Sequence, residues 1–437
     1  MMLNKHEAYC VVGAGSSGIA AGRWLKAYGI PFDIIEREDE VGGNWYYGKP
    51  NSSVYRSTHL ISSKGMTQYL DFPMPDDYPD YPSHEQVCAY LRSYARTHGL
   101  YDHIEFNTSV ETITRTPDGL WDVTLSNGET RRYGGVIIAN GHNWDPKFPE
   151  YPGTFNGVIL HSAEYKTPDV LRDKRVLVVG AGNSGCDIAV ESAQNAAKTF
   201  HSTRRGYWYV PKYAFGKPAD VINELPLKLG LPVWMRRIIN GMILKVLVGD
   251  LRQYGLRKPD HKLLETHPII NQHLTYYMGH GMIIPKPDVA ELCGDSIKFA
   301  DGSIEPIDVL IYATGFKISF PFIDKQYLNW NGSRPDLYLN AYHPTYDNLF
   351  VIGLIQPDSG QFWIVDLQSQ LMARFIKAAQ ANSPAADEFR RIKATDRPDL
   401  GGGIKYLEST RHLVEIEHHS YRKRIKKLLR LFDTVTA

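Results

Sequence analysis

The sequence predicts an α/β protein built on two parallel sheets, and three observations predict it. A strand–glycine loop–helix unit occurs twice, with GAGSSG at 13–18 and GAGNSG at 180–185. Each loop follows a short apolar run and opens a stretch rich in small residues. Two further apolar runs, 136–139 and 309–313, each lead into a glycine. Uninterrupted apolar runs are what strands covered on both faces require.

The elements follow in order. Tyr9-Cys10-Val11-Val12 reads as the first strand, and the helix after GAGSSG runs through Ala27 to a stop at Gly29. Phe32-Asp33-Ile34-Ile35-Glu36 is the next strand. Trp121-Asp122-Val123-Thr124-Leu125 followed by Asn127-Gly128 reads as an antiparallel hairpin, while 71–82 and 143–153 read as loops. Arg175-Val176-Leu177-Val178-Val179 opens the second unit. Its helix extends to about Ala197, and Thr199-Phe200-His201-Ser202-Thr203 follows as a strand. The repeat implies two Rossmann-like dinucleotide-binding domains, the second inserted into the first. The expected division is 1–165 for the first part of the outer domain, 166–300 for the insert, and 301–437 for the return with its C-terminal helices.

Composition narrows the function. The 437 residues exceed one typical core, and 43% hydrophobic with 22% charged residues is ordinary for a globular chain. A formal net charge of +1 offers no field for nucleic acid. The 27 tyrosines suit flat ligands, although large cores also consume aromatics. Cys10, Cys88, Cys186 and Cys293 form no CxxC pair, so neither a dithiol centre nor a metal site is expected. The N-terminus lacks a signal-like apolar stretch, and no run reaches the about 20 apolar residues of a membrane span. A reducing cytoplasmic setting is expected.

GAGSSG carries the full GxGxxG spacing. Gly13 permits a tight turn, Gly15 lets the backbone approach a pyrophosphate, and Gly18 lets helix pack on strand. Glu36, at the end of the next strand, can accept both hydroxyls of a ribose. Gly13, Gly15, Ser17, Gly18, Glu36 and Arg37 are therefore assigned to one dinucleotide. Gly180, Gly182, Asn183, Ser184 and Gly185 repeat the loop, but Thr203-Arg204-Arg205 stands where an acid would be. A guanidinium there suits a 2′-phosphate and favours NADP over NAD; a solvated basic turn is the plain alternative.

The segment 155–166, FNGVILHSAEYK, fits FxGxxxHxxx(Y/F)(K/R), and on it the chain resembles the flavin-containing monooxygenases. Val41-Gly42-Gly43-Asn44-Trp45, Asp71-Phe72-Pro73, Ala313-Thr314-Gly315-Phe316, Gly353-Leu354-Ile355-Gln356 and Asp366-Leu367-Gln368 extend the resemblance from 8 to about 378. The resemblance implies FAD in the first site and NADPH in the second. Gly43, Asn44, Trp45, Thr314, Gly315 and Gln356 are added to the cofactor set. It implies hydride transfer to FAD, a flavin 4a-(hydro)peroxide, and delivery of one oxygen atom from dioxygen to a small organic substrate. His161 is read as a hinge or packing residue.

One departure bears on the chemistry. The register between Tyr55-x-Ser57 and Lys64-x-Met66 puts Ile61 where the family has an asparagine, and isoleucine donates no hydrogen bond. Thr58, His59, Ser62 and Ser63 can substitute for it or simply cap the loop. His59 and Ser62 are taken as the catalytic candidates. The departure points toward the family's bacterial type II branch and Baeyer–Villiger oxidation of ketones, besides sulfide or amine oxygenation. The rivals are an electron-transfer reductase, weakened by the missing CxxC, an NADPH oxidase-like flavoprotein, and a non-enzymatic FAD binder. The basic amphipathic run 422–432 can dock on its own domain, the commoner case, or touch an anionic membrane. A homodimer is compatible with the sequence, which carries no sign of oligomeric state.

Overall fold

The computed structural model describes residues 2–434, and its class is mixed α/β. The first sheet is built from β1 (Met2–Val12), β2 (Phe32–Ile35), β3 (Ile104–Glu105), β4 (Val110–Arg115), β5 (Trp121–Leu125) and β6 (Thr130–Ile138), in the order β3-β2-β1-β6-β5-β4. β6 is central and is paired on both sides. Along its whole length, Thr130 to Ile138, it lies parallel to β1 with a bulge between Lys5 and Tyr9, and its first half also pairs antiparallel with β5 on the other side, around the Asn127-Gly128 turn. The strand Leu349–Val351 adds alongside the second half of β6. The parallel core is thus five strands deep.

The second sheet contains Val158–His161 (β7), Arg175–Val179 (β8), Lys198–Ser202 (β9), Ile283–Lys286 (β10) and Val309–Tyr312 (β11). All are parallel, in the order β10-β9-β8-β11-β7. This corrects the placement of two strands. The apolar run at 309–313 was expected to return to the first sheet, and 158–161 to precede the insert. Both pair in the second sheet, β11 lying between β8 and β7. A buried apolar strand fits any parallel sheet equally well, so local sequence carried no partner information.

Alternation explains the apolar runs. Val11 and Ile137 face a core shared with Ser16–Ala27 (α1), while Cys10, Val12, Val136 and Ile138 face a second core behind the sheet. In the other sheet Val176 and Val178 point to one side, Leu177 and Val179 to the other. Cys10, Cys88 and Cys186 are buried free thiols and Cys293 is half-buried. The C-terminal helix, His418–Leu429, turns Ile425, Leu428 and Leu429 into the first core, with Phe432 beyond it. Its apolar face is covered, so the membrane-contact alternative for this run is not realised.

Candidate active site

The first glycine loop is shaped by contact distances. A Cβ on Gly18 would lie 1.8 Å from the Gly13 carbonyl oxygen, so only glycine lets α1 settle on the turn. Gly13 itself has φ +101°, a backbone region side chains disfavour. A Cβ on Gly15 would meet only the Gly43 Cα, at 3.5 Å. That direction is open cavity. α1 begins at Gly15 with no side-chain cap and no acid in its first turn, whereas the helix His84–Thr97 carries a full capping box from Ser83 and Gln86. Uncapped first-turn N–H groups form a cradle for an anion.

Glu36 is buried at the end of β2. Its Oε2 accepts from Ala14 N at 2.5 Å and its Oε1 from Glu38 N at 2.9 Å. Burial raises its pKa, while those two donors oppose the rise. Ser17 and Arg37 join the cavity wall, and the Arg37 guanidinium lies 5.6 Å over the Trp144 ring. Gly43, Asn44 and Trp45 form a short 3-10 turn against the loop, and a Cβ on Gly43 would strike Gly15 Cα at 2.8 Å. Asn44 Oδ1 accepts from Ser53 N at 2.7 Å, which fixes the adjoining wall.

The second loop repeats this design. Gly180 has φ +125°, and a Cβ on Gly185 would lie 2.0 Å from the Gly180 oxygen. A Cβ on Gly182 would meet nothing within 4 Å. The helix Asn183–Asn195 (α2) starts at Gly182, again with no side-chain cap and no acid in its first turn. Asn183 faces the wall, but its side chain holds Ile270 N at 2.7 Å and Pro268 O at 3.3 Å, so it organises the neighbouring segment. Ser184 is on the wall. The basic turn divides. Arg204 is exposed on the wall; Arg205 is drawn away by Asp260, its Nη2 2.9 Å from Oδ2, and Thr203 is buried behind. Thr314 and Gly315 stand on the wall beside the loop, the Ala313 carbonyl closing on Gly180, and Gln356 Nε2 donates to Glu415 at 2.8 Å.

Both uncapped helix starts open into one cavity of about 1230 Å³. That exceeds the roughly 300–1,000 Å³ of single small-molecule sites. The stretch 57–63 forms part of its wall. His59 Nδ1 lies 2.8 Å from the Ser57 carbonyl oxygen, which can only accept, so Nδ1 carries the proton and Nε2 is left as an acceptor. Ile61 is on the wall, and no amide stands there. Ser62 does not fit its expected catalytic role. Thr67 Oγ1 donates to Ser63 O at 2.9 Å, so the 2.7 Å bond between Ser62 and Thr67 takes the Ser62 proton.

The 155–166 motif acts as a stitch. His161 is buried, its Nδ1 accepts from Ala163 N at 3.1 Å, and its ring packs on Phe148 and Phe316. Lys166 Nζ donates to Ser52 O at 2.6 Å, so the segment leaving the second sheet grips a loop of the first. Sequence reasoning missed several wall residues. Asp187 lies four positions into α2 and accepts from Asn271 at 2.7 Å and from the Tyr55 hydroxyl at 3.3 Å. Its helical spacing from the loop was the available signal. His142, just past β6, has its pKa pushed down to about 4 by burial and stays neutral at pH 7. His267 and Arg411 come from distant segments that carry no local signature.

Two uncapped glycine-loop helix starts facing one cavity are the arrangement that a two-nucleotide α/β oxidoreductase requires. Residues 6–418 match the flavin-binding monooxygenase-like family. Flavin-containing monooxygenase 5 of Rattus norvegicus is 32% identical over 96% of this chain and 82% of its own length. Among solved structures, the OTEMO complex with FAD and NADP superposes with a TM-score of 0.73 at 19% identity, covering 98% of each chain. Cyclohexanone monooxygenase from Rhodococcus sp. Phi1, bound to NADP+, gives 0.70 at 17%, again over 98% of each. The chain belongs to the flavin-binding monooxygenase-like family and is an NADPH-dependent flavin-containing monooxygenase using FAD and NADPH.

Proposed function

We propose that GAGSSG holds FAD and GAGNSG holds NADPH, and that the enzyme inserts one oxygen atom into small ketones and sulfides in the space between them. The observation that carries this reading is the pair of uncapped helix starts opening into the same cavity. On it the chain divides into two Rossmann-like units, an NADP unit over about 153–315 inserted in an FAD unit. FAD supplies hydride acceptance and dioxygen activation when bound. The chain's own residues do the rest. The first-turn N–H groups of α1 and α2 orient the two pyrophosphates, and Glu36 holds a ribose. Arg204, free of a carboxylate where Arg205 is not, meets the 2′-phosphate. The free thiols fit a reducing cytoplasm.

Arg204→Ala should therefore raise the Michaelis constant for NADPH by about tenfold or more and leave that for NADH unchanged, since a charge-assisted phosphate contact contributes about 1.5–3 kcal/mol. Flavin reduction measured with both nucleotides checks this, and an equal loss with each would place the arginine elsewhere.

The ketone assignment rests on Ile61 and His59. An alkyl group replaces a donor on the wall, and the His59 Nε2 lone pair can take a proton at the oxygen being transferred. Neutral His142 adds no charge. Incubation of the holoenzyme with NADPH and a cyclic ketone, a thioether and a tertiary amine should give lactone and sulfoxide with little N-oxide. Oxygenated amine and thioether without any lactone would refute the ketone reading.

A further inference from the structure

The stretch 52–63 belongs by sequence to the FAD unit, yet the unit over about 153–315 holds much of it. Lys166 Nζ donates to Ser52 O at 2.6 Å and to Val54 O at 3.2 Å, and Arg56 N donates to Lys166 O at 2.9 Å. Lys212 Nζ reaches Leu60 O at 3.4 Å, and Asp220 accepts from Ser63 N at 2.6 Å. Backbone groups taken out of water need such partners, so these bonds decide where the stretch lies.

Tyr55 goes deepest. It is 4% exposed and packs in the core of the NADP unit, its ring 5.6 Å from that of Tyr165. A buried phenol needs an acceptor, and its hydroxyl donates to Asp187 Oδ2 at 3.3 Å. Tyr55 N donates to Thr58 Oγ1 and Tyr55 O accepts from Thr58 N, each at 2.9 Å, which closes a tight turn. His59 and Ile61 follow that turn directly on the cavity wall. The place of the tyrosine therefore sets the place of both.

Asp187 joins this turn to the second glycine loop. It lies one helical turn beyond Asn183 on α2, also on the cavity wall. Its Oδ1 accepts from Asn271 Nδ2 at 2.7 Å, while Asn183 Oδ1 accepts from the N–H of the preceding residue, Ile270, at 2.7 Å. Asn183, the 270–271 backbone, Asp187 and Tyr55 thus make one bonded chain from the start of α2 to the turn that presents His59 and Ile61. A carboxylate that only pinned α2 to the 270–271 segment would need Asn271 alone. The bond to Tyr55 is the one that crosses between the units. Members of such a network move together, because releasing one leaves a buried partner unsatisfied.

We propose that Asp187 is a positioning residue: acting through Tyr55, it ties the 55–61 turn to the helix that receives NADPH, so that nucleotide binding orders the wall beside which oxygen is transferred. This rests on the assignment of NADPH to GAGNSG. Hydrogen exchange of the holoenzyme with and without NADP+ reads the two ends separately. In the wild type NADP+ should slow exchange both at the start of α2, 182–186, and at 55–61. In Tyr55→Phe and in Asp187→Ala the first protection should remain, and the second should fall about fivefold or more. During turnover of a thioether, the hydrogen peroxide released per sulfoxide formed should rise about fivefold or more in each variant, with NADPH oxidation falling less than sulfoxide formation. The double variant should match the single ones, since both substitutions remove the same link. Tyr55→Phe keeps the ring in its core and decides the matter alone if Asp187→Ala does not fold. Protection of α2 without protection of 55–61 in the wild type overturns the proposal and leaves the nucleotide assignment standing, whereas protection at neither end overturns both. The proposal also falls if Tyr55→Phe changes neither readout, or if the two substitutions add, which would give Asp187 a contact of its own with nucleotide or substrate.

Discussion

Gly15→Val should yield a folded, colourless protein, and Gly182→Val a folded yellow one that NADPH no longer reduces. Both positions have ordinary backbone angles, φ −76° at Gly15 and −68° at Gly182, so valine adds no backbone strain. Its side chain would occupy the open space where a pyrophosphate must approach the helix start. Affinity for the corresponding nucleotide should fall about a hundredfold or more, equivalent to about 2.7 kcal/mol or greater. Gly18→Ala and Gly185→Ala differ in kind. Their new Cβ atoms would stand 1.8 and 2.0 Å from backbone oxygens, so these variants should lose about 3 kcal/mol or more of stability and fold poorly. Circular dichroism with flavin absorbance after purification separates the two behaviours. Full flavin content in Gly15→Val would show that the first loop does not hold FAD.

The second large effect is on stability against pH. The His418 side chain is 2% exposed, with Nδ1 2.7 Å from Asp358 Oδ1 and Nε2 on Glu224. Burial opposes its charge, but Asp358, Glu224 and Glu417 more than offset this and push the pKa up to about 10. A histidine pKa raised above its unfolded value near 6.5 stabilises fully below that value, and the contribution is lost as pH rises toward 10. The loss is on the order of 3–5 kcal/mol. It should release the helix Ala219–Lys228, which carries Glu224, from the loop at Asp358 and from the C-terminal helix. The unfolding temperature of the holoenzyme should drop by several degrees between pH 6.5 and 9.5, and His418→Gln should flatten that slope. Parallel slopes in the two proteins would remove His418 from the account.

Much of this was legible in the chain. The glycine loops, their strands and their helices are local patterns, and they lie within a few residues of where the sequence puts them. The roles of Gly18 and Gly185 followed from the same spacing. What local patterns cannot carry is partnership. The run at 309–313 announces a buried strand without saying which sheet takes it. Arg204 and Arg205 look alike until Asp260, far along the chain, claims one of them. Ser62 looks like a free hydroxyl until Thr67 takes its proton. Arg411 and His267 reach the cavity only through tertiary folding.

The central claim is that both nucleotides serve one cavity in which an oxygen atom passes from dioxygen to an organic substrate. Turnover of a thioether and a cyclic ketone under oxygen-18 gas, with NADPH consumption and hydrogen peroxide followed together, tests it most directly. One labelled oxygen atom per product molecule, with NADPH consumed in equal amount and little peroxide released, is the predicted result. Unlabelled product, or NADPH oxidation that returns all the oxygen as hydrogen peroxide, would contradict it and leave an oxidase in its place.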